Sequence, residues 1–146
     1  MLMNTQSRIK LGKYGEDLAC NYLISNGYTI LKRNFRCRRY GEIDIVASKA
    51  GVLSFIEVKT RATQRYGKPA EAVTLAKQRK IYRCAEYYLQ CEGLMSCIPV
   101  LSFDVVEIII QGSSAGVQLN HFPHCFLSKE EDKNVCTSFR RNYLWY

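Results

Sequence analysis

A chain of 146 residues with 47% hydrophobic and 23% charged residues and a formal net charge of +8 is long enough to bury the core of one domain and too evenly mixed for a disordered or fibrous protein. No run is apolar enough to span a bilayer, and the first residues, MLMNTQSRIKLGKYGED, lack the apolar core of a secretion signal, so a cytoplasmic protein is expected. The seven cysteines are an odd set without a C-x-x-C pair, which argues against a disulfide framework or a zinc ribbon.

Between Lys10 and Asn26 the apolar residues Leu11, Tyr14, Leu18, Ala19, Tyr22 and Leu23 keep helical spacing, and Gly27 supplies the stop. YTILKRNF (28–35) reads as a strand. The basic RCRRYG follows, and then GEIDIVASKAGVLSFIEVKTR (41–61) reads as a β-hairpin. TRATQRYGKP has the composition of a basic loop. A second helix is predicted from about Ala70 to Glu92, with Val73, Ile81, Cys84, Ala85, Tyr88 and Leu89 on its core face. PVLSFDVVEIII (99–110) is a buried strand and VQLNHF (117–122) a last one. The order α, three strands, α, two strands predicts an α/β domain over residues 1–127, a mixed sheet flanked by helices, with residues 128–146 as an appended tail. HFPHC holds His121, His124 and Cys125, which offer metal-binding groups on paper, but such residues near a strand end more often pack or face solvent.

Four charges interrupt the hairpin: Glu42, Asp44, Glu57 and Lys59. Strand side chains alternate faces, so Glu57 and Lys59 share one. If SKAG (48–51) is the whole turn, Ala47 pairs with Val52, Asp44 lies opposite Phe55, and Glu57 is its diagonal neighbour at roughly 7–8 Å. A turn one residue longer or shorter would move Asp44 to the other face. Two partly buried carboxylates repel each other and resist ionisation unless a cation sits between them. Mg²⁺ or Mn²⁺ suits such a pair, and a lysine beside it can hold an attacking water or neutralise charge on a phosphate. Glu16, about 20° around the first helix from Leu23, borders the apolar stripe and can lean toward the same place, whereas Asp17 reads as a surface carboxylate. Glu42 is a ligand, a partner of Arg38 or Arg39, or a strand end. The same charges also suit a cross-strand ion cluster, or inward charges that protect a sheet edge from pairing.

Charge is uneven along the chain. Residues 1–83 carry 17 Lys and Arg against 6 Asp and Glu, while residues 84–146 carry 4 against 7. A basic half suits a polyanionic partner, or simply a solvated face.

The stretches YGEDLACNYLISNGYTILKRNFRCRRYGEIDIVA, FIEVKTR, YGKPAEAV and FDVVEI resemble the YraN-like bacterial family (uncharacterised protein family 0102). Members of that family look like PD-(D/E)xK nucleases of the restriction-endonuclease-like fold. The resemblance runs from about Lys10 to Phe126 and rests on several separated motifs in order. It implies an αβββαβ core, with Asp44, Glu57 and Lys59 as the signature residues and Glu16 as an extra acid on the first helix. The order and spacing of these four are also similar to archaeal-type Holliday-junction resolvases. Gln78 and Tyr82 resemble the Q-x-x-x-Y element of some relatives and would be supporting residues. Ser102 stands before FDVV where the family usually has arginine, so a phosphate contact is not expected there.

The combined expectation is a Mg²⁺- or Mn²⁺-dependent endonuclease acting on branched or otherwise structured DNA. Asp44, Glu57 and Glu16 would hold the metal, Lys59 would orient the water, and Arg33, Arg36, Arg38, Arg39, Arg61, Arg65 and Lys68 would track phosphates without reading bases. The alternative is a nucleic-acid-binding protein that keeps the fold without the chemistry. Resolvase-like nicking of two strands would call for a homodimer.

Overall fold

The computed structural model describes residues 5–61, 69–111 and 116–126. Helix α1 (Thr5–Ser25) is followed by strand β1 (Thr29–Cys37), a 3-10 turn (Arg38–Tyr40) and strands β2 (Gly41–Lys49) and β3 (Val52–Arg61). A second 3-10 turn (Pro69–Ala72) leads into helix α2 (Leu75–Cys91), and strands β4 (Val100–Ile110) and β5 (Val117–Phe122) complete the order. The predicted sequence of elements is therefore the observed one, and the architecture is a mixed α/β fold compatible with the restriction-endonuclease-like core. The predicted tail, together with Arg65 and Lys68, lies outside the described residues. Among the described residues no helix is long and apolar enough to cross a membrane.

The five strands form one sheet in the order β1-β2-β3-β4-β5. Only β3 and β4 run parallel. A parallel pair cannot be joined by a tight turn, and α2 is the crossover between them. The helix starts later than its apolar stripe suggests, because Thr74 caps it: the Thr74 hydroxyl accepts the Lys77 N–H at 3.2 Å.

The sheet is buried on both faces. Val46, Phe55 and Phe103 pack with Ile81, Tyr88 and Leu89 of α2, while Ile45, Ala47, Ile56, Val106 and Ile108 pack with Ala19 and Leu23 of α1. Alternation along β2 and β3 thus feeds two cores at once, one beneath each helix.

The β2–β3 turn differs from expectation. It has two residues, Ala50 and Gly51, at φ of 49° and 79°, and Lys49 pairs with Val52. Positive φ at both central positions matches the twist of the flanking strands, so the tighter turn wins over a four-residue loop. The register is displaced by two residues, and Val46 rather than Asp44 stands opposite Phe55. A displacement of two preserves the face of every residue in the paired stretch, Ile45 to Lys49 against Val52 to Ile56.

Candidate functional site

Ile43 packs beneath α2, yet Ile45, two residues on, packs beneath α1. A regular strand would put both on one face, so the alternation breaks at Asp44. The recorded β2–β3 pairing also begins at Ile45 and Ile56. Here the Asp44 carboxylate takes the part of a ladder carbonyl, Oδ2 accepting the Val58 N–H at 2.7 Å. An acid is therefore held where two strands part, doing what a neighbouring backbone would otherwise do.

Glu57 stands on β3 beside this gap and is 4% exposed; Asp44 is 9% exposed. Burial pushes the Asp44 carboxyl up to about 7, and the Glu57 charge adds to the effect, while the Val58 N–H and the Lys77 ammonium pull the other way. Two lysines reach Glu57. Lys59 Nζ lies 2.9 Å from Oε1, and Lys77 Nζ, from the first turn of α2, lies 3.3 Å from Oε2. Among the described residues Oε2 nevertheless has no hydrogen-bond partner, so the Lys77 contact is electrostatic and poorly directed, which makes it the weaker of the two.

Helix α1 forms the opposite wall. It comes close because residue 15 is glycine: a Cβ there would stand 1.9 Å from Thr60 Oγ1 of β3. No other residue permits that approach, and it sets Arg8, Leu11, Gly12 and Glu16 along a cleft of about 560 Å³ shared with Glu42, Asp44, Glu57, Lys59 and Lys77. Glu16 Oε2 accepts from Asn34 Nδ2 at 3.0 Å and lies 3.9 Å from Arg33 Nη2. Glu16, Asp44, Glu57 and Lys59 thus line one cleft, with Glu42 at its rim, where it pairs with Arg36 at 3.6 Å.

The remaining predicted residues lie elsewhere. Gln78 donates to the Val73 carbonyl at 2.9 Å and ties down the start of α2. The Tyr82 hydroxyl donates to the Phe126 carbonyl at 3.0 Å, and its ring packs edge-on against Phe103 in the core. Neither lines the cleft. Among the predicted phosphate-tracking arginines, Arg33 is paired with Asp17 at 2.6 Å and Arg61 with Glu107 at 3.6 Å. Arg39 donates to the Tyr40 hydroxyl at 3.3 Å, and Arg38 is an exposed residue of the same turn. Asp17, expected as an ordinary surface carboxylate, is half exposed and forms a surface ion pair with Arg33.

Lys77 is the residue that sequence reasoning missed. It falls four positions before Ile81 and four after Val73, inside the apolar stripe of α2, and a lone charge in a core stripe was the available signal.

His121 and His124 belong to a different cluster. Fully buried Asp104 bonds the Ser102 hydroxyl and the His121 Nε2, the latter at 2.8 Å, and accepts the His124 N–H at 3.2 Å. His124 Nδ1 lies 3.2 Å from Ser102 Oγ. The network fastens β5 and the turn after it to β4. Ser102 is 2% exposed, so it is not a surface that a phosphate could reach. Among the described residues no three His, Cys, Asp or Glu side chains form a ready-made metal cage. At the cleft two buried carboxylates are offered, one of them with an orphaned oxygen, Glu57 Oε2, and these fit a hard divalent cation that keeps waters and shares a phosphate.

Comparison with known proteins is consistent in one direction. Residues 15–108 match the sequence model of Uncharacterised protein family UPF0102. A UPF0102 protein of Clostridium perfringens strain 13 is 44% identical over 116 residues, 80% of this chain and 93% of the relative. One from Caldicellulosiruptor saccharolyticus is 40% identical over 80% of this chain and 97% of its own. One from Clostridium tetani is 48% identical over 73% and 84% respectively.

Proposed function

We propose that this chain, which belongs to the UPF0102 family, is a divalent-cation-dependent endonuclease that hydrolyses phosphodiester bonds in branched or otherwise structured DNA. The observation that carries the reading is the pairing of two buried acids, Asp44 and Glu57, where β2 and β3 part, with lysines on Glu57 and an open cleft above them. Asp44 and Glu57 would hold the cation, Mg²⁺ or Mn²⁺, with Glu16 on the facing wall. When bound, such an ion polarises a phosphoryl oxygen and makes its own water more acidic. Lys59 stands 2.9 Å from Glu57 and would steady the attacking water or the charge that develops on the phosphate. The exposed Arg36 and the arginines of the 38–40 turn would meet the phosphate chain, giving affinity that falls steeply with salt.

The test is cleavage of branched, single-stranded and duplex DNA with Mg²⁺ or Mn²⁺. Asp44→Ala and Glu57→Ala should abolish it, and activity surviving both substitutions would sink the assignment. Lys59→Ala should cut turnover by a factor on the order of 10²–10³ with cation binding nearly intact. Glu57→Gln should weaken cation binding and be partly rescued by excess cation.

A second reading, a nucleic-acid-binding module without chemistry, is favoured by the fact that both Glu57 oxygens already face a lysine. Tight DNA binding with no calorimetric signal from Mg²⁺ would select it.

A further inference from the structure

Lys77 sits awkwardly for its local setting. It occupies the third position of α2, where the partial positive charge of the helix N-terminus disfavours a cation, and the first turn contains no acid to offset it. Its ammonium reaches across to β3 and rests 3.3 Å from Glu57 Oε2, a buried oxygen that receives no hydrogen bond from any of the described residues. The lysine is bound by charge alone, to an oxygen that a cation ligand set would need.

We propose that Lys77 is a displaceable counter-cation: it screens Glu57 while the site is empty, yields Oε2 when a divalent cation arrives, and then holds a phosphate of the bound strand. This rests on the nuclease reading above and adds to it a regulation of the same site. The geometry gives the reason for each half. Lys59 already satisfies Oε1 at 2.9 Å, so Oε2 is the free corner of the carboxylate. Once Oε2 is taken, the Lys77 ammonium at the wall of the cleft has lost its counter-charge and is a place for an anion, while the end of α2 stays capped by Thr74. The lysine is 31% exposed in its side chain, so it can turn without disturbing the core. Nothing is bonded or cleaved in this step. An ion pair is exchanged for another.

The signature is a pair of opposite signs. Lys77→Met keeps the length and removes the charge. In calorimetric titration with Ca²⁺ or Mn²⁺ and no DNA, the variant should bind the ion about three- to tenfold more tightly, because its competitor has gone. Labelled branched DNA should bind wild type and variant equally in EDTA, where Lys77 is held by Glu57. With Ca²⁺ present the variant should bind it several-fold more weakly, with a salt dependence reduced by about one phosphate contact. Lys77→Arg should restore DNA binding in Ca²⁺, and thermal unfolding should confirm that all three proteins are folded. Unchanged or weaker cation binding by Lys77→Met, or an equal loss of DNA affinity with and without Ca²⁺, would overturn this inference alone. Absence of any cation binding by the wild-type chain would overturn the nuclease reading and the inference with it.

Discussion

The most informative single substitution is Asp44→Asn, because the acid carries both a structural bond and an electrostatic cost. Its carboxyl is raised from an ordinary 3.8 to about 7, chiefly by burial and then by Glu57. A folded-state pKa above the unfolded one means that the folded chain keeps the proton longer. The associated stability is complete below about 3.8 and is lost as pH rises through 7. At ~1.4 kcal/mol per pH unit the cost of the ionised acid is about 2 kcal/mol at pH 5.5 and on the order of 4 kcal/mol at pH 8. Asn keeps the shape, and its side-chain oxygen can still accept the Val58 N–H that Asp44 holds at 2.7 Å. Asp44→Asn should therefore be more stable than wild type at pH 8, by up to roughly 4 kcal/mol, with the gap narrowing toward pH 5. Urea unfolding followed by circular dichroism in EDTA at pH 5, 6, 7 and 8 measures the difference between the two proteins, so groups that do not interact with Asp44 cancel and what remains belongs to Asp44 together with Glu57. Millimolar Mg²⁺ should stabilise wild type at pH 8 and leave Asp44→Asn unaffected. A difference that does not change with pH, or a variant less stable at pH 8 than at pH 5 relative to wild type, would refute the reasoning.

Three further outcomes are expected. Gly15→Ala should cost about 1–3 kcal/mol, because the new Cβ meets Thr60 Oγ1 at 1.9 Å, and Thr60→Ala in the same chain should recover part of it; a thermal melt equal to wild type would contradict the close approach of α1. Ala50→Asn should raise the melting temperature by an amount worth about 0.5–1 kcal/mol, since Asn accepts the φ of 49° more readily than Ala in a two-residue turn, and a lower melt would count against that turn. Asp104→Ala should destabilise by about 3 kcal/mol or more, because it strips a buried acid from Ser102, His121 and the His124 N–H, while Ca²⁺ binding by the folded fraction stays unchanged. Lost Ca²⁺ binding in the folded fraction would join the two clusters, which the fold keeps apart.

Much of this architecture was legible because apolar periodicity dictates it. The stripe from Leu18 to Leu23 and the run from Leu101 to Ile109 can be buried in few other ways, although Tyr14, expected in the stripe, is exposed, and the elements appear in the predicted order. Turn length was not legible. SKAG reads equally as a four-residue loop or as two strand residues with a two-residue turn, and only the backbone at Ala50 and Gly51 decides. Asp44 and Glu57 still line one cleft despite that error, because the Asp44 carboxylate is held by the Val58 N–H, one residue from Glu57. The break in β2 was illegible for a different reason: Ile43, Ile45 and Ala47 alternate as in any strand, and what separates Ile43 from the others is which helix it packs beneath. Tyr82 and Gln78 were misplaced for a related cause. A polar group on a helix reads as available for a ligand until its partners are known, and theirs are the Phe126 and Val73 carbonyls.

Charge is where sequence and structure part most instructively. The excess of cations in the first half suggests a continuous surface for a polyanion, yet Arg33 and Arg61 are paired within the fold with Asp17 and Glu107, and both lysines at the cleft face Glu57. A count of charges therefore overstates what is offered to a ligand. What is left is more directional: the 38–40 turn lies at the join of β1 and β2, the strand that carries Asp44, the exposed Arg36 beside it is itself paired with Glu42, and Arg8 lies on the far wall. A phosphate chain drawn to this surface meets cations on two sides of the cleft and acids at its floor. Acids at the floor of such a surface weaken the attraction of any polyanion unless a cation covers them. That cost is hard to reconcile with binding as the whole purpose, and it is the physical reason for weighting chemistry over simple attachment.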